Sequence, residues 1–226
     1  MVDGISPRED RADAGVCSGF LQSLPISGVS VSVFGGMAPE TMVCASDAVA
    51  ARIDELQFDL GEGPRWDALR TREPVLLPHV RTSPHDAWPV FAKALMKLDV
   101  SALFVFPLVL GDMDIGVVEL YNSTAGPLSA ADHSTAVGLA DAASWQLLRQ
   151  IMTIASGEDT GPLQTGSPLS RREVHQATGM VLAQAGVSAT DALLLLRAHA
   201  FSLGLTVREV ARDVVNKDLD LTPRDG

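Results

Sequence analysis

The sequence predicts an α+β protein in two parts, an antiparallel sheet with flanking helices followed by an all-α three-helix bundle. Strand-like segments alternate with helical patterns in the first part, whereas three helix-start signals recur every eighteen residues in the second. Between them, nine of the thirteen residues 156–168 are Gly, Pro, Ser or Thr, a composition that favours turns. We therefore divide the chain into residues 1–155, a flexible linker 156–169 and a bundle 170–220.

The first part is predicted to contain three helices and five strands. The helical patterns cover residues 10–24, 48–56 and 129–152, the last with Ser129 and Asp132 as an acidic capping box. Segments rich in Val, Leu, Ile and Phe predict strands over 26–34, 41–45, 74–80, 101–110 and 115–121. A turn at Gly35 and Gly36, before Pro39, joins the first two strands, and residues 111–114 join the last two into an antiparallel pair.

The second part is predicted from its helix caps. Ser170, Ser188 and Thr206 are each followed three residues later by an acidic residue, so each can cap a helix, a contribution of about 1 kcal/mol. Gly186 and Gly204 stand where left-handed helix ends are expected. A bundle of this size has a marginal core, so docking or dimerisation is expected.

The charge is distributed unevenly between the two parts. The net charge is -11, yet residues 170–226 hold seven basic and seven acidic residues, so all the excess acid lies earlier. Phosphate binding depends on basic surface, so a nucleic-acid interface is expected in the second part if anywhere.

Composition and termini predict a cytoplasmic protein that is neither secreted nor inserted in a membrane. The first ten residues lack a signal-peptide pattern, and the apolar run 101–110 is short and interrupted by Pro107. Cys17 and Cys44 are too few for a disulfide framework or a zinc site, and we expect them to be small buried apolar residues in a reducing compartment.

No pattern of catalytic residues stands out, so the sequence predicts a protein that is not an enzyme and needs no cofactor. Nucleophile elbow, phosphate-binding glycine loop and kinase signatures are missing. His79 and His85 flank Pro84, but no further donors complete a metal site, and we expect a surface loop there.

Motifs of the second part identify a family. Gln176, Ala177 and Gly179 stand as in a Gln-Ala-Lys-Gly motif; later matches are Ala192, Leu195 to Arg197, Ala200, Val210 and Ala211. This pattern resembles the ANTAR family of RNA-binding antiterminator domains, which implies binding of stem-loops in nascent transcripts. The lysine of the family motif is Thr178 here, which removes one cation from the RNA face.

Motifs of the first part are similar to a second family. They comprise residues 59–64 (DLGEGP), 68–71, 74–75, 88–91, 107–108, 115–116 and Tyr121. They resemble a GAF sensor domain of the actinobacterial kind that precedes ANTAR domains. The resemblance implies sensing of a small molecule or an upstream signalling protein but names no ligand and no pocket. Arg65 stands where relatives often have Cys or Ser.

The resemblance and the helical spacing give a set of candidate RNA-binding residues. They are Arg171, Arg172, His175, Gln176, Ala177, Thr178, Gly179 and Arg197. A period of 3.6 residues places Arg171, Arg172, His175, Thr178 and Gly179 on one side of a helix, where a glycine lets an RNA backbone come close. The alternative is a solvated face whose glycine allows tight helix packing. Arg197 should reach solvent or pair with an acid such as Asp213.

Taken together, the motifs predict a signal-responsive, RNA-binding regulator of transcription antitermination that acts as a homodimer. A dimer would hold two hairpins at once, and the helix 129–152 is the candidate interface because its apolar residues exceed one face. These are Val137, Leu139, Leu147, Leu148 and Ile151. Two alternatives stay open: a dimerisation module whose tail has lost RNA binding, and a thiol oxidoreductase of the GAF fold that uses Cys17 or Cys44.

Overall fold

A five-stranded antiparallel sheet organises the first part of the chain in the computed structural model, which describes residues 10–34, 40–83, 86–155 and 171–221. The strands are β1 (Gly28–Val33), β2 (Thr41–Ala45), β3 (Val75–Leu77), β4 (Ala102–Leu110) and β5 (Met113–Asn122). Their order across the sheet is β2-β1-β5-β4-β3, and every pair is antiparallel, as predicted. The predicted turn at residues 35–36 lies outside the described residues.

Among the described residues, five helices pack on this sheet. They are α1 (Asp10–Ser23), α2 (Ala48–Leu60), α3 (Pro64–Thr71), α4 (Pro89–Leu95) and α5 (Ala130–Ala155). Asp47 caps α2 by accepting from the amides of Val49 and Ala50, and the helix continues four residues beyond its predicted end at residue 56. Helices α3 and α4 were not predicted from the sequence, because helices of eight and seven residues are too short to establish a period.

Both faces of the sheet are covered. Val29, Val31 and Val33 of β1 belong to the core formed with α1 and α5, whereas the second core lies beneath α2, α3 and α4. Valine and serine alternate along β1, but the serine side is not solvated, because Ser30 and Ser32 are buried as well. This buried polar side positions the site described below.

A disulfide joins Cys17 of α1 to Cys44 of β2, with their Cα atoms 6.2 Å apart. The prediction of two unlinked apolar cysteines is therefore wrong. The burial of both side chains was predicted correctly. Pairing of residues that are 27 positions apart depends on how α1 lies against β2, which local patterns do not encode.

The second part forms the predicted three-helix bundle, with α6 (Arg172–Ala185), α7 (Ala189–Leu203) and α8 (Val207–Asn216). Ser188 caps α7, and Thr206 forms a full capping box with Glu209 on α8. The predicted cap Ser170 lies outside the described residues; the N-cap position of α6 is Arg171, without a side-chain cap. The linker 156–169 also lies outside them.

The spacing of α7 predicts an apolar stripe of Ala192, Leu195, Leu196, His199 and Leu203, and the core of the bundle uses only part of this stripe. Ala192, Leu196 and Ala200 are buried, whereas Leu195 and Leu203 are exposed. Within the described residues, no single helix has the length and apolar composition to cross a membrane; α6 and α7 pass that test only together, as a pair bent by 107°.

Candidate functional site

A cluster of buried charges lies between the sheet and helices α2 and α3. We call it the acid cluster; its members are Glu40, Asp54, Arg65 and Glu119. Arg65 is fully buried at the first turn of α3 and donates to the carboxylates of Asp54 and Glu119, the latter at 3.4 Å. Glu40, just before β2, lies 3.5 Å from the same guanidinium. Three carboxylates therefore converge on one arginine of the first part.

Polar neighbours satisfy most of the remaining hydrogen bonds of this cluster. Ser30 donates to Glu119 at 3.2 Å, and Ser32 donates to Asp54. Gln57 bridges the cluster to the backbone, because its amide nitrogen donates to Glu119 while its oxygen accepts from the Arg65 amide at 2.9 Å. These contacts explain why β1 and α2 carry polar residues at core positions.

A second arginine enters the cluster from the bundle. Arg171, immediately before α6, donates from Nη1 to Glu40 at 2.7 Å and from Nη2 to Asp54. Its guanidinium also lies 3.9 Å from the centre of the Phe58 ring, in cation–π contact. Only 4% of Arg171 is exposed, so the bundle is joined to the first part by a buried, charge-assisted contact.

Three further contacts complete what we call the junction, the interface between the bundle and the end of α2 with Glu40. The His175 ring nitrogen Nε2 lies 3.0 Å from the carbonyl oxygen of Glu40. Arg197 of α7 donates from Nε to the carbonyl of Phe58 at 2.9 Å. The amide of Val207, at the start of α8, donates to Asp59 at 3.2 Å. All three bundle helices thus contact the first part.

Burial and charge shift several pKa values in opposite directions. Burial raises the pKa of Glu40 against the nearby Arg171 and Arg65, and it raises the pKa of Glu119 against Arg65. Burial also acts on Asp54, but Arg65 and Arg171 outweigh it and lower the pKa of that carboxyl. Asp54 is therefore the carboxylate that the two guanidiniums hold ionised most firmly.

At the junction, burial shifts the pKa values of Asp59 and Arg197, and the neighbouring groups do not cancel these shifts. Burial, together with the neighbouring Glu55, raises the pKa of Asp59 to about 7, although the Val207 amide and Arg52 act in the other direction. Burial lowers the pKa of Arg197 despite the nearby Glu40. The Nη2 atom of Arg197 is also buried without a hydrogen-bond partner among the described residues.

The structure places the eight candidate RNA-binding residues in four different environments. Arg171 and Ala177 are buried, His175 and Arg197 face the junction, and Arg172, Gln176 and Gly179 are exposed along α6. Thr178 is half-buried and donates to the carbonyl of Val174 at 2.7 Å. The expectation that Arg171 shares an open face with its neighbours is wrong, since its side chain points into the acid cluster. Arg197 contacts a backbone carbonyl rather than Asp213.

The exposed stripe of α6 retains the properties expected of a nucleic-acid contact. A Cβ atom added at Gly179 would meet no atom within 4 Å outside its own helix backbone, so this glycine is not required for helix packing. Arg172 and Gln176 precede it by seven and three positions and therefore lie on the same side of the helix. The contacts of Arg171 and Arg197 could not be found from helical periodicity, because their partners lie in the other part of the chain.

Neither a ligand cavity nor a metal site is evident among the described residues. A shallow apolar depression lies between β3 and α4, lined by Leu77, Trp88, Phe91, Ala92 and Leu95, and it encloses no space large enough for a water molecule. No group of three potential metal donors occurs in this part of the chain, and His85 lies outside it.

Known proteins match both parts of the chain. The family model described as GAF domain matches residues 16–144, and the model described as ANTAR domain matches residues 168–215. No curated protein matches the chain.

Solved structures resemble the first part in fold. The GAF domain from a phosphoenolpyruvate-protein phosphotransferase of Coxiella burnetii is 16% identical, with a TM-score of 0.52 over 68% of this chain and 89% of that one. The GAF domain of a two-component sensor histidine kinase from Bacillus halodurans is 11% identical, with a TM-score of 0.50 over 65% of this chain and 98% of that one. At these identities the likeness concerns the fold alone.

Proposed function

Because the chain belongs to the GAF domain family and carries an ANTAR domain at residues 168–215, we propose that it is a signal-responsive RNA-binding regulator of transcription antitermination. The observation that carries this proposal is the ANTAR match together with the exposed stripe of Arg172, Gln176 and Gly179 on α6. Such a protein acts on nascent transcripts, which places its work in the cytoplasm. GAF and ANTAR domains are typically regulatory rather than catalytic.

The exposed stripe suits recognition of a hairpin by shape. Arg172 can bind an RNA phosphate, and Gln176 can form hydrogen bonds with the edge of a base. Gly179 has no side chain, so the RNA backbone can approach the helix closely at this position. Phe201, the sole aromatic residue of the described bundle besides histidine, is exposed on α7. Polar contacts and shape therefore supply more of the recognition than stacking does.

The proposed homodimer uses α5, as the sequence predicts, but of the five predicted apolar residues only Val137 is exposed, and Leu139 packs partly against the core. Leu147, Leu148 and Ile151 are buried in the core of the GAF domain, so they do not form an external face. Trp145 is 60% exposed, and Met152 is exposed further along the helix. We expect Trp145→Glu to shift sedimentation toward the monomer, and an unchanged sedimentation coefficient would contradict this interface.

The test of RNA binding is a titration of the full chain with an RNA that contains two tandem hairpins. We expect binding whose log K falls with log salt, with a slope reduced by about 1.4 in Arg172→Ala, since a dimer loses two contacts of about 0.7 each. Arg70→Ala, a change at an exposed arginine of the GAF domain, is the matched control and should leave the slope unchanged.

The same titration separates the proposal from its main alternative. If the native chain does not bind and Thr178→Lys restores binding, the bundle has kept its fold and lost its RNA, and the chain is a GAF-based association module. If neither binds any tandem hairpin, the antitermination proposal is wrong.

A further inference from the structure

The junction and the predicted RNA face use the same arginines. Arg171 and Arg197 are two of the three arginines among the candidate RNA-binding residues, and both contact the GAF domain. A guanidinium held by Glu40 and Asp54 cannot bind a phosphate at the same time. Arg172 alone among the three remains on the exposed side of α6.

Resting on the proposed function, we propose that the GAF domain is an intramolecular competitor of RNA. In the closed arrangement seen here, Glu40 and Asp54 occupy Arg171, and the end of α2 occupies Arg197. RNA binding with all three arginines requires the bundle to leave the junction. A signal that loosens the junction would therefore raise RNA affinity by increasing the fraction of open molecules.

The composition of the junction supports a contact that opens. It combines the buried ion pairs of Arg171 with one apolar side chain, Phe58 of α2, which packs in the core of the bundle. Buried ion pairs add less net stability than apolar packing of the same size, because both partners must be desolvated. Arg197 donates a hydrogen bond to the Phe58 carbonyl and lies 5.2 Å from the Phe58 ring and 5.8 Å from the Trp66 ring, while its Nη2 stays buried without a hydrogen-bond partner among the described residues. Release would return that donor to water.

Hydrogen exchange at the Val207 amide measures opening of the junction in the absence of RNA. It is the first amide of α8 and has no partner within the helix, so its protection from hydrogen exchange depends on Asp59 across the junction. The Glu209 amide is the internal control, because it donates to Thr206 inside the bundle. Opening of the junction exposes the first amide and leaves the second protected.

The deciding variant changes the GAF side alone. Glu40→Gln removes one charge that faces Arg171 and leaves the ANTAR domain intact; Glu73→Gln, at an exposed GAF position, is the matched control. We expect Glu40→Gln to speed exchange at Val207 by about tenfold to hundredfold, the value of one charged hydrogen bond, without a change at Glu209. RNA affinity should rise by up to the same factor.

The outcomes separate this inference from the function on which it rests. Faster exchange at Val207 with unchanged RNA affinity would overturn the competition and leave RNA binding in place. Unchanged exchange in Glu40→Gln would overturn the role of the acid cluster. Absence of RNA binding in every variant, including those with fast exchange, would overturn the inference and the proposed function together.

The salt dependence of RNA binding gives an independent check. Three arginines from each of two protomers predict a slope of log K against log salt near -4, at about -0.7 per contact. If the bundle binds RNA while it remains docked, Arg172 alone contributes and the slope is about -1.4. The steeper slope supports release of Arg171 and Arg197, and the shallower slope contradicts it.

Discussion

Replacement of Arg65 by methionine should destabilise the chain severely. The side chain of Arg65 is fully buried and faces Asp54 and Glu119, which are themselves buried. Methionine fills much of the volume but leaves the two carboxylates with less compensating charge. Removal of one partner from a buried ion pair typically costs 3–5 kcal/mol, so we expect the free energy of unfolding to fall by about 4 kcal/mol.

Urea unfolding followed by circular dichroism measures this loss, with Arg70→Met as control. Arg70 pairs with Asp67 at 2.9 Å but is 72% exposed, and such surface pairs contribute about 0.5 kcal/mol. The double variant Arg65→Met/Glu119→Gln should lose less than the two single losses combined, because it removes one of the unpaired charges. A loss in Arg65→Met below about 1 kcal/mol, or strict additivity, would refute the argument.

The loss should also depend on pH. In the native protein the pKa of Asp54 is lowered, so its contribution is present above the ordinary value of 3.8 and is lost as pH falls through the folded pKa. In Arg65→Met, the buried carboxylates of Asp54 and Glu119 face less positive charge, so each of them is protonated more readily. Acid therefore removes part of the destabilisation of the variant, because it neutralises these carboxylates. The difference between the two proteins should therefore shrink from pH 7 to pH 4, and a constant difference would show that charge is not its cause.

Three further predictions concern the disulfide, a helix cap and the junction. Reduction of the Cys17–Cys44 disulfide, which joins residues 27 positions apart, should lower the free energy of unfolding by roughly 2–4 kcal/mol in urea titrations, and the double serine variant should match the reduced protein. Thr206→Ala should cost about 1 kcal/mol by the same measurement, since the α8 capping box is lost; an unchanged midpoint would count against the cap. Burial and the neighbouring Glu55 raise the pKa of Asp59 from 3.8 to about 7, against the Val207 amide, so the arrangement that buries this carboxyl favours its protonated form and should weaken as pH rises through that range. The protection factor of the Val207 amide should therefore fall from pH 5 to pH 8 in the native chain but not in Asp59→Asn; equal falls in both would exclude Asp59 as the cause.

Local signals were sufficient for several helices and strands. The caps at Ser188 and Thr206 are encoded within four residues each, and the hairpin of β4 and β5 follows from two apolar segments joined by a short turn. Helices α3 and α4 each begin at a proline, a start signal that could have been used. Their shortness left no periodicity to support it.

The junction could not be predicted because its contacts are distant in sequence. Arg171 and Asp54 are 117 residues apart, and an arginine at a helix start ordinarily indicates a solvated residue. Two hints were present without an evident partner: serines alternate with valines in β1, and Arg65 directly follows Gly63 and Pro64. In both places a polar side chain lies within an apolar segment or directly after a turn. The shared reason, which is that these side chains meet in the acid cluster, is visible only in the tertiary structure.

The lengths of the outer strands limit how this chain can associate. The sheet ends with β3, which has three residues, on one side and with β2, which has five, on the other. Unpaired backbone groups at a long, flat edge recruit strands from other molecules, and short edges restrict this form of aggregation. Self-association of this protein is therefore expected to proceed through helix surfaces, and a mutation that lengthens β3 would create an aggregation hazard.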